Sequence, residues 1–247
     1  MRLAILSDIH ANRHALQAVL SDLSDRKIDQ IAVLGDIVGY GPDPQWCTDK
    51  VADMVAQGAI CVMGNHDEAA VTKADVSFRE DARKAIEWTV LQLDARQKAF
   101  LAGLPKSVVL DDIVFVHASA NAPSDWIYVT SESRAMSSFR TTGARLILCG
   151  HVHVPALYSC DRIGRVTRQR LMIGHPVPLV RSRRWLGVVG AVGQPRDGVP
   201  QAGYATFDTV HNELTFRRVP YDAAATAAAI RSAGLPETLA RRLMRGE

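Results

Sequence analysis

The sequence predicts an α/β fold, a sheet of strands covered by helices, followed by a part that is rich in short strands. Up to residue 149, short apolar runs alternate with stretches of helical periodicity, which is the pattern of a sheet with covering helices. From residue 155 onward the apolar segments are short and bounded by turns, which favours antiparallel strands. Because no repeat or low-complexity linker divides the chain, we expect one domain, residues 1–247, with a second sheet formed partly by its C-terminal half.

The elements of the first part follow from their apolar patterns. Residues 3–6 form a short buried run, and four leucine and valine residues then follow at helical spacing, Leu16, Val19, Leu20 and Leu23. Further strands are predicted over residues 31–34, 59–63 and 146–149, with a hairpin of residues 108–110 and 113–116. Further helices are predicted over residues 45–57, 78–101 and 131–140.

The second part is predicted to hold five strands and a helical tail. The strands lie near residues 155–160, 165–173, 185–192, 203–208 and 212–218. The alanine-rich tail, residues 221–247, becomes helical at Ala223 and continues past residues 234–236 to the end.

Composition indicates an ordinary soluble protein. Of the 247 residues, 47% are apolar and 22% are charged. The net charge of +3 is too small to favour a nucleic-acid or membrane partner, and no apolar window approaches the ~18 residues of a membrane span. The apolar run at the N-terminus is shorter than the ~7–15 residues of a secretory signal. The four cysteines have no paired spacing, so we expect reduced thiols and a cytoplasmic protein.

Five predicted strands are each followed by polar side chains that can bind a metal ion. These side chains are Asp8 and His10, Asp36, Asn65 and His66, His117, and His151 and His153. Five of the eight histidines lie at these strand ends, and only His14, His175 and His211 do not. Because loops at the carboxyl ends of strands converge around a crevice in α/β sheets, the sequence predicts a site at this edge.

The residue types and their spacing favour metal ions. If the backbone is extended, residues two apart point to the same side, so Asp8 with His10, and His151 with His153, would face one site. A donor set of carboxylate, imidazole and amide groups suits manganese, iron, zinc or nickel. Two divalent ions, two carboxylates and a hydroxide leave about one positive charge, which attracts a phosphate ester, whereas two carboxylates would neutralise a single ion.

The motifs in this order resemble the calcineurin-like metallophosphoesterase family, in particular its small bacterial phosphodiesterase-like branch. They are Asp8-Ile9-His10, Gly35-Asp36, Gly64-Asn65-His66-Asp67, His117 and Gly150-His151-Val152-His153. The resemblance implies a four-layer αββα sandwich, in which two mixed β-sheets pack together and helices flank them. Residues 192–198 also resemble a segment of the bacterial branch.

The resemblance also implies a division of roles. One ion would be held by Asp8, His10, Asp36 and His153, and the other by Asp36, Asn65, His117 and His151. His66 would be catalytic, either stabilising the transition state or protonating the leaving oxygen. The nucleophile would be a hydroxide that bridges the two metals, with no covalent enzyme intermediate, and manganese is the metal expected to support activity.

Two positions depart from the family pattern. Ala11 stands where the family often has glycine, which we expect to be tolerated if the backbone there is helical. Residues 188–191 read Val-Val-Gly-Ala, where the bacterial branch often carries Asn-Pro-Gly-Ser, so polar groups are lost near the rim of the site.

Other residues near the motifs have two interpretations. Arg181, Arg183, Arg184 and Arg196 form a basic cluster, which we interpret as a solvated loop; the alternative is bidentate binding of substrate phosphates, with Arg196 as the candidate. Tyr40 and Trp126 would stack on a nucleobase or simply pack. We expect His14 to be an exposed helical residue and His175 to be a loop residue.

These features predict a metal-dependent phosphoesterase that acts on a small phosphorylated substrate. A phosphodiester or nucleotide-type substrate is the first expectation, and a phosphomonoester or a dinucleoside polyphosphate is the alternative. A non-catalytic scaffold of the same fold would have eroded ligands, and all of them are present. An amidohydrolase would place its His-x-His pair early, whereas here that pair comes last.

Overall fold

A computed structural model describes residues 1–72 and 78–247. Its twelve described strands are β1 (Arg2–Leu6), β2 (Gln30–Val33), β3 (Ile60–Cys61), β4 (Ser107–Leu110), β5 (Ile113–Val116), β6 (Leu146–Cys149), β7 (Ala156–Cys160), β8 (Val166–Gln169), β9 (Pro176–Pro178), β10 (Arg184–Val188), β11 (Ala202–Asp208) and β12 (Glu213–Val219). They form two six-stranded sheets, with orders β3-β2-β1-β11-β12-β9 and β4-β5-β6-β10-β7-β8.

Eight helices in the described part of the chain flank the sheets. They are α1 (Arg13–Ser24), α2 (Pro44–Ala56), α3 (Asn65–Val71), α4 (Glu80–Gln92), α5 (Ala95–Ala102), α6 (Glu132–Thr141), α7 (Ala223–Ser232) and α8 (Glu237–Arg245). Residues 1–72 and 78–247 contain no helix long and apolar enough to cross a membrane.

Both sheets are mixed, which confirms that part of the expectation. β1, β2 and β3 are parallel, whereas β11 pairs antiparallel with β1. In the other sheet β5, β6 and β10 are parallel, and β10 pairs antiparallel with β7. The prediction that the C-terminal strands are all antiparallel is therefore wrong for β10, which inserts between β6 and β7.

The sheets pack face to face through alternating residues of their strands. Leu3, Ile5 and Phe207 of the first sheet join Phe115 and Leu148 of the second in one buried cluster. The intervening residues of β1, Ala4 and Leu6, belong to a second cluster that includes side chains of α1 and α2. Because successive side chains point to opposite faces of a strand, this alternation builds a helix–sheet–sheet–helix sandwich, as predicted.

Two predicted helices are each divided in the structure. The stretch of residues 78–101 contains α4 and α5, which separate at Leu93 and Asp94. Asp94 accepts a hydrogen bond from Gln97 N at 2.7 Å, and the Gln97 side chain accepts one from Asp94 N at 3.0 Å. This reciprocal capping starts a new helix. The C-terminal tail breaks likewise between α7 and α8, at residues 233–236, where Pro236 cannot donate a backbone hydrogen bond.

The remaining differences concern short strands. The segment predicted at residues 165–173 is only β8, that predicted at residues 185–192 ends earlier as β10, and that predicted at residues 59–63 is only β3. Met63 N instead donates to Pro105 O at 2.8 Å, which turns the chain away from the sheet. β9, which the sequence analysis did not predict, is a proline-bearing edge strand beside β12, the position in which a sheet tolerates proline.

We expect the core between the sheets to dominate stability. Phe207 is fully buried there, so Phe207→Ala should lower the free energy of unfolding by about 3–5 kcal/mol, because it leaves a cavity. Val210, which is 73% exposed on the turn after β11, is the control. Val210→Ala should change the free energy of unfolding by less than about 0.5 kcal/mol. Urea unfolding measures both, and equal losses would contradict an inter-sheet core.

Candidate metal centre

The carboxyl ends of the parallel strands from both sheets meet at one edge, and the predicted polar residues lie there. Asp8 and His10 follow β1, Asp36 follows β2, and Asn65 and His66 begin α3 after β3; from the other sheet, His117 follows β5, and His151 and His153 follow β6. His151 N donates to Asp8 Oδ2 at 3.0 Å across the two sheets. The structure therefore brings all eight residues to one place.

The backbone of these loops is not extended, which corrects the spacing argument. Five of the eight residues have positive φ angles between 48° and 66°, namely Asp8, His10, Asp36, His151 and His153. Ala11 also has a φ of 50°, which is left-handed, so the right-handed helical backbone that would accommodate alanine without strain is not present at this position. Left-handed backbone costs a non-glycine residue about 1–2 kcal/mol, and such strain is concentrated at functional sites.

One cluster of buried side chains contains Asp8, His10, Asp36 and His153, with one potential ligand atom from each within 4.8 Å of the others. His10 Nε2 lies 3.2 Å from His153 Nε2 and 3.6 Å from Asp36 Oδ2. Asp8 Oδ1 lies 3.2 Å from His153 Nε2. Two imidazole nitrogens and two carboxylates therefore point into one small volume.

A second cluster contains Asp36, His117 and His151. His117 Nε2 lies 3.3 Å from Asp36 Oδ2 and 3.2 Å from His151 Nδ1. Asn65 Oδ1 lies 3.1 Å from the same His117 nitrogen and adds an amide oxygen. Asp36 belongs to both clusters, and its Oδ2 atom faces His10 on one side and His117 on the other.

Backbone carbonyls fix the orientation of three histidine rings. The Nδ1 atoms of His10, His117 and His153 lie 3.1, 2.7 and 2.6 Å from the carbonyl oxygens of Val38, Leu34 and Gln194. Because a carbonyl oxygen can only accept, each Nδ1 carries the proton, and in the neutral ring the Nε2 lone pair points into the cluster. This is the arrangement by which a metal-binding histidine is held from behind.

The donor set fits divalent cations. With those tautomers His10 Nε2 and His153 Nε2 present lone pairs to each other at 3.2 Å, which is repulsive unless a positive charge lies between them. Asp8 Oδ1 and His151 Nε2 are buried, and neither forms a hydrogen bond with the described residues. Mixed nitrogen and oxygen donors without thiolate suit manganese, iron, zinc or nickel.

The carboxylates and imidazoles of the two clusters shift each other's pKa values, and two of the rings are held in the neutral form. Burial opposes ionisation of Asp36, but His117 and His66 hold the pKa of its carboxyl well below its usual range. Burial would lower the pKa of His117, but the Asp36 carboxylate raises it to about 9, so this ring carries a proton on both nitrogens near pH 7, and a metal ion would have to displace the proton on Nε2. Burial lowers the pKa of His10 well below its usual value and that of His151 to about 3, so both rings are neutral near pH 7, the form that binds metal.

Two glycines of the motifs are required by close approach. A Cβ atom on Gly64 would overlap Asp36 Oδ1, and a Cβ atom on Gly150 would overlap Ser7 Oγ and crowd Asp8 Oδ2. Only glycine therefore allows the backbone before Asn65 and before His151 to come this near to the two carboxylates.

Asp67 supports the centre from behind, a role that the sequence analysis missed although it noted the residue. Its Oδ1 atom accepts hydrogen bonds from Ile37 N at 2.8 Å and Val38 N at 3.2 Å, and its Oδ2 atom accepts one from Gly64 N at 3.0 Å. Burial and the nearby Asp36 raise the pKa of Asp67 to about 7. The contacts tie the loop that carries Asp36 to the start of α3.

His66 lies beside the two clusters and belongs to neither. Its backbone N–H donates to Asp36 Oδ1 at 2.8 Å, and its ring centre lies 4.8 Å from that of His10 and 4.4 Å from that of Tyr40. Burial lowers the pKa of His66 to about 4. The ring lines the cavity above the centre, where it can contact a bound molecule.

That cavity has a volume of about 1020 Å³ and aromatic walls. Tyr40 and Trp126 both line it. Trp126 Nε1 donates to Glu68 Oε2 at 3.1 Å, and Lys106 Nζ lies 4.3 Å from the centre of the indole ring. Tyr128, which the sequence analysis missed, stacks on His151 at 3.9 Å between ring centres, although its place two residues after Trp126 was a possible signal.

The four arginines of the predicted basic cluster do not act together: one lines the cavity, and others bind elsewhere in the fold. Arg196 lines the cavity, whereas Arg184 donates to the carbonyls of Phe139 and Ala144, near the end of α6, at 2.7 and 2.8 Å. Arg183 donates to Ser159 Oγ at 3.0 Å, so two of the four arginines have structural partners instead of forming a solvated loop, and Arg181 is exposed.

Neither His14 nor His175 is among the residues that line the cavity. His14 is half-buried, not exposed as expected, and its Nδ1 atom lies 3.2 Å from Thr226 Oγ1 of α7. His175 is an exposed loop residue, as expected.

Comparisons with known proteins agree with the fold and the motifs. The calcineurin-like phosphoesterase superfamily domain matches residues 1–212. An uncharacterized protein of Methanocaldococcus jannaschii is 33% identical over 249 residues, which cover 99% of this chain and 98% of that protein. A metallophosphoesterase crystal structure from Sphaerobacter thermophilus is 39% identical, with a TM-score of 0.88 over 100% of this chain and 99% of that one. A hypothetical protein from Pyrococcus horikoshii, 20% identical, shares the fold with a TM-score of 0.79 over 100% of this chain and 98% of that one.

We expect manganese to stabilise the protein, because it would relieve the repulsion among the inward lone pairs. At a thousandfold excess over its Kd, a bound ion adds about 4 kcal/mol, which corresponds to a rise of roughly 8–16 °C in the melting temperature. His10→Ala should reduce the rise, whereas the exposed His175→Ala should leave it unchanged. Thermal scans after chelation and manganese addition measure this rise in melting temperature. Equal rises in the wild type and both variants would contradict a centre at His10.

Proposed function

Because the chain belongs to the calcineurin-like phosphoesterase superfamily, we propose that it hydrolyses phosphate esters with the help of two divalent cations. The observation that carries this proposal is the shared carboxylate of Asp36, which lies within 3.6 Å of His10 Nε2 and 3.3 Å of His117 Nε2. A carboxylate between two sets of inward-facing donors suits a pair of ions better than one.

The proposed ligands divide into two sets around Asp36. Asp8, His10, Asp36 and His153 would hold one ion, and Asp36, Asn65, His117 and His151 would hold the other, as their grouping in the structure supports. The carbonyls behind His10, His117 and His153 keep each ring in the orientation and tautomer that a ligand needs. Manganese is our choice for activity.

Bound cations would polarise the phosphoryl group and lower the pKa of a coordinated water. The residues of the chain orient the ester and exclude bulk water. Six of the seven proposed ligands are almost completely buried, with Asp8 and His117 at 0% exposure, whereas Asn65 is half-buried. Burial strengthens electrostatic interactions in the centre. We assign His66 the role of catalytic residue, because its ring lines the cavity beside both clusters without belonging to either.

A phosphodiester or nucleotide-type substrate is the class that the cavity supports best. A volume of about 1020 Å³ exceeds what an inorganic phosphate needs and is typical of sites for larger ligands. Tyr40, Trp126 and Tyr128 offer aromatic faces near the centre, and a nucleobase stacks on such faces. Arg196, which lines the same cavity, is the proposed contact for a phosphate group of the substrate. A phosphomonoester or a dinucleoside polyphosphate is the alternative substrate.

We also propose that the protein works in a reducing compartment, the cytoplasm. All four cysteines are free and buried, and burial raises the pKa of the Cys47 and Cys61 thiols well above their usual value. Inert, unpaired thiols are typical of intracellular proteins.

A panel of substrates tests the activity. After chelation and manganese addition, the protein should hydrolyse at least one of bis(p-nitrophenyl) phosphate, p-nitrophenyl phosphate and diadenosine tetraphosphate. Asp36→Asn should lose bound metal and turnover together, because it removes the charge shared by both clusters, and His175→Ala should retain both. Metal content from atomic emission is measured beside product release. Full metal occupancy without hydrolysis of any substrate would contradict an esterase and favour a scaffold.

His66→Gln should keep the metal content but lower kcat by about 10²–10⁴-fold if the ring donates a proton to the leaving oxygen. The loss should be largest for esters with poor leaving groups, because nitrophenolate needs little protonation. Steady-state kinetics on a nitrophenyl and an alkyl ester measure this difference. An equal loss on both esters would argue for a role in electrostatic stabilisation instead of proton transfer.

A further inference from the structure

One wall of the cavity comes from a part of the chain that lies beyond the matched family domain. The match ends at residue 212, whereas α7 and α8 lie at residues 223–245. Arg242 of α8 nevertheless lines the same cavity as Asp36 and His66. The centre therefore receives a positive side chain that the motifs do not contain.

The packing of α8 holds this side chain in place. Ile230, Leu239 and Leu243 form a buried cluster with Ala85 of α4, and Tyr40 packs against it. Thr238 Oγ1 donates to Asp81 Oδ2 at 2.7 Å. After the helix, Gly198 N donates to Gly246 O at 2.9 Å. The helix is thus anchored at its start to α4 and at its end to the loop that follows Arg196.

Arg242 and Arg196 line the same cavity as Tyr40 from different elements, Arg242 from α8 and Arg196 from the loop between β10 and β11. The Arg196 guanidinium carbon lies 5.7 Å from the centre of the Tyr40 ring. Burial raises the pKa of Tyr40, and the positive charges of Arg196 and Arg242 both oppose that rise. Both arginines therefore add positive charge to the cavity that Tyr40 and His66 also line, and the ring centres of Tyr40 and His66 lie 4.4 Å apart.

No carboxylate among the described residues pairs with either arginine. Arg196 Nη2 donates to the neutral Gln194 Oε1 at 2.8 Å, and the Arg242 side chain has no hydrogen bond or ion pair within residues 1–72 and 78–247. Glu247 also lines the cavity, but its Oε2 atom pairs with Arg245 Nη1 at 3.7 Å. Both arginines are half-buried, so their charge is available to a ligand inside the cavity.

We propose that Arg242 and Arg196 form a subsite for a second phosphate group of the substrate, apart from the phosphate that is cleaved. This inference rests on the proposed esterase function and specifies its substrate class. A terminal phosphate carries about −1.5 to −2 charges near pH 7 and offers three acceptor oxygens, which matches two guanidinium groups. The cavity, at about 1020 Å³, has room for a nucleotide that carries two separate phosphates.

Two nitrophenyl esters that differ only in the second phosphate test the subsite. They are thymidine 5′-(p-nitrophenyl phosphate) and the same compound with a 3′-phosphate, assayed with manganese. The wild-type protein should have a lower KM for the 3′-phosphorylated ester. Arg242→Gln should raise that KM about tenfold, the effect of losing one hydrogen-bonded charge, with kcat unchanged because the contact is made equally in the ground and transition states.

Two further variants distinguish the loss of the Arg242 charge from a disturbance of the fold. Arg241→Gln, an exposed neighbour on α8, should change neither KM, and Arg242→Lys should recover part of the loss. Arg242→Gln should also leave the KM for the ester without the 3′-phosphate unchanged. Equal KM values for both esters in the wild type, or an equal rise for both in Arg242→Gln, would overturn the subsite.

A binding measurement keeps the two proposals distinguishable. Calorimetry with thymidine 3′,5′-bisphosphate and thymidine 5′-monophosphate should show tighter binding of the bisphosphate, and Arg242→Gln should abolish the difference. If neither nitrophenyl ester is cleaved but this difference is present, the esterase function fails and the anion subsite stands. If both esters are cleaved and the two nucleotides bind equally, the subsite fails and the esterase function stands.

Discussion

The carboxylate of Asp36 is the group on which the arrangement of the centre depends. Its Oδ2 atom faces His10 and His117, and its Oδ1 atom accepts the backbone N–H of His66. One side chain thus connects the two donor clusters to the start of α3, which carries the proposed catalytic residue. Since His10 follows a strand of one sheet and His117 a strand of the other, the carboxylate also connects the two halves of the sandwich.

Holding Asp36 there requires a strained backbone, and the surrounding sheets support it. Asp8, His10, Asp36, His151 and His153 all adopt left-handed backbone, which in total opposes folding by several kcal/mol, at about 1–2 kcal/mol each. Asp67 binds the N–H groups of Ile37 and Val38, and the apolar core between the sheets stabilises the strands from which the loops leave. Because both ends of each loop are fixed, the left-handed residues cannot relax, and the donors stay directed inward.

The proposed metal ligands are positioned by local sequence, whereas the cavity walls are assembled by tertiary packing. Each ligand stands at most four residues after a strand, or at the start of α3 after β3, so its position follows from local sequence and the direction of the strands. The walls are assembled from distant segments, among them Tyr40, the loop of Trp126 and Tyr128, and Arg242 of α8. The ligands therefore support the proposed hydrolysis of a phosphate ester, and the cavity walls support the proposed choice of substrate.

The sequence by itself determined the strands near the centre and the eight motif residues, because apolar periodicity and donor types at strand ends are local signals. Local signals were insufficient for features that depend on loop conformation and packing. Extended backbone was expected at Asp8 and His10, and the structure has positive φ angles there. The reciprocal cap at Asp94 and the parallel insertion of β10 were likewise invisible in apolar periodicity. Only the tertiary structure placed Tyr128 on His151 and brought Arg242, Arg196 and Tyr40 to one cavity, because such arrangements join residues far apart in the chain and depend on how the helices pack against the sheets.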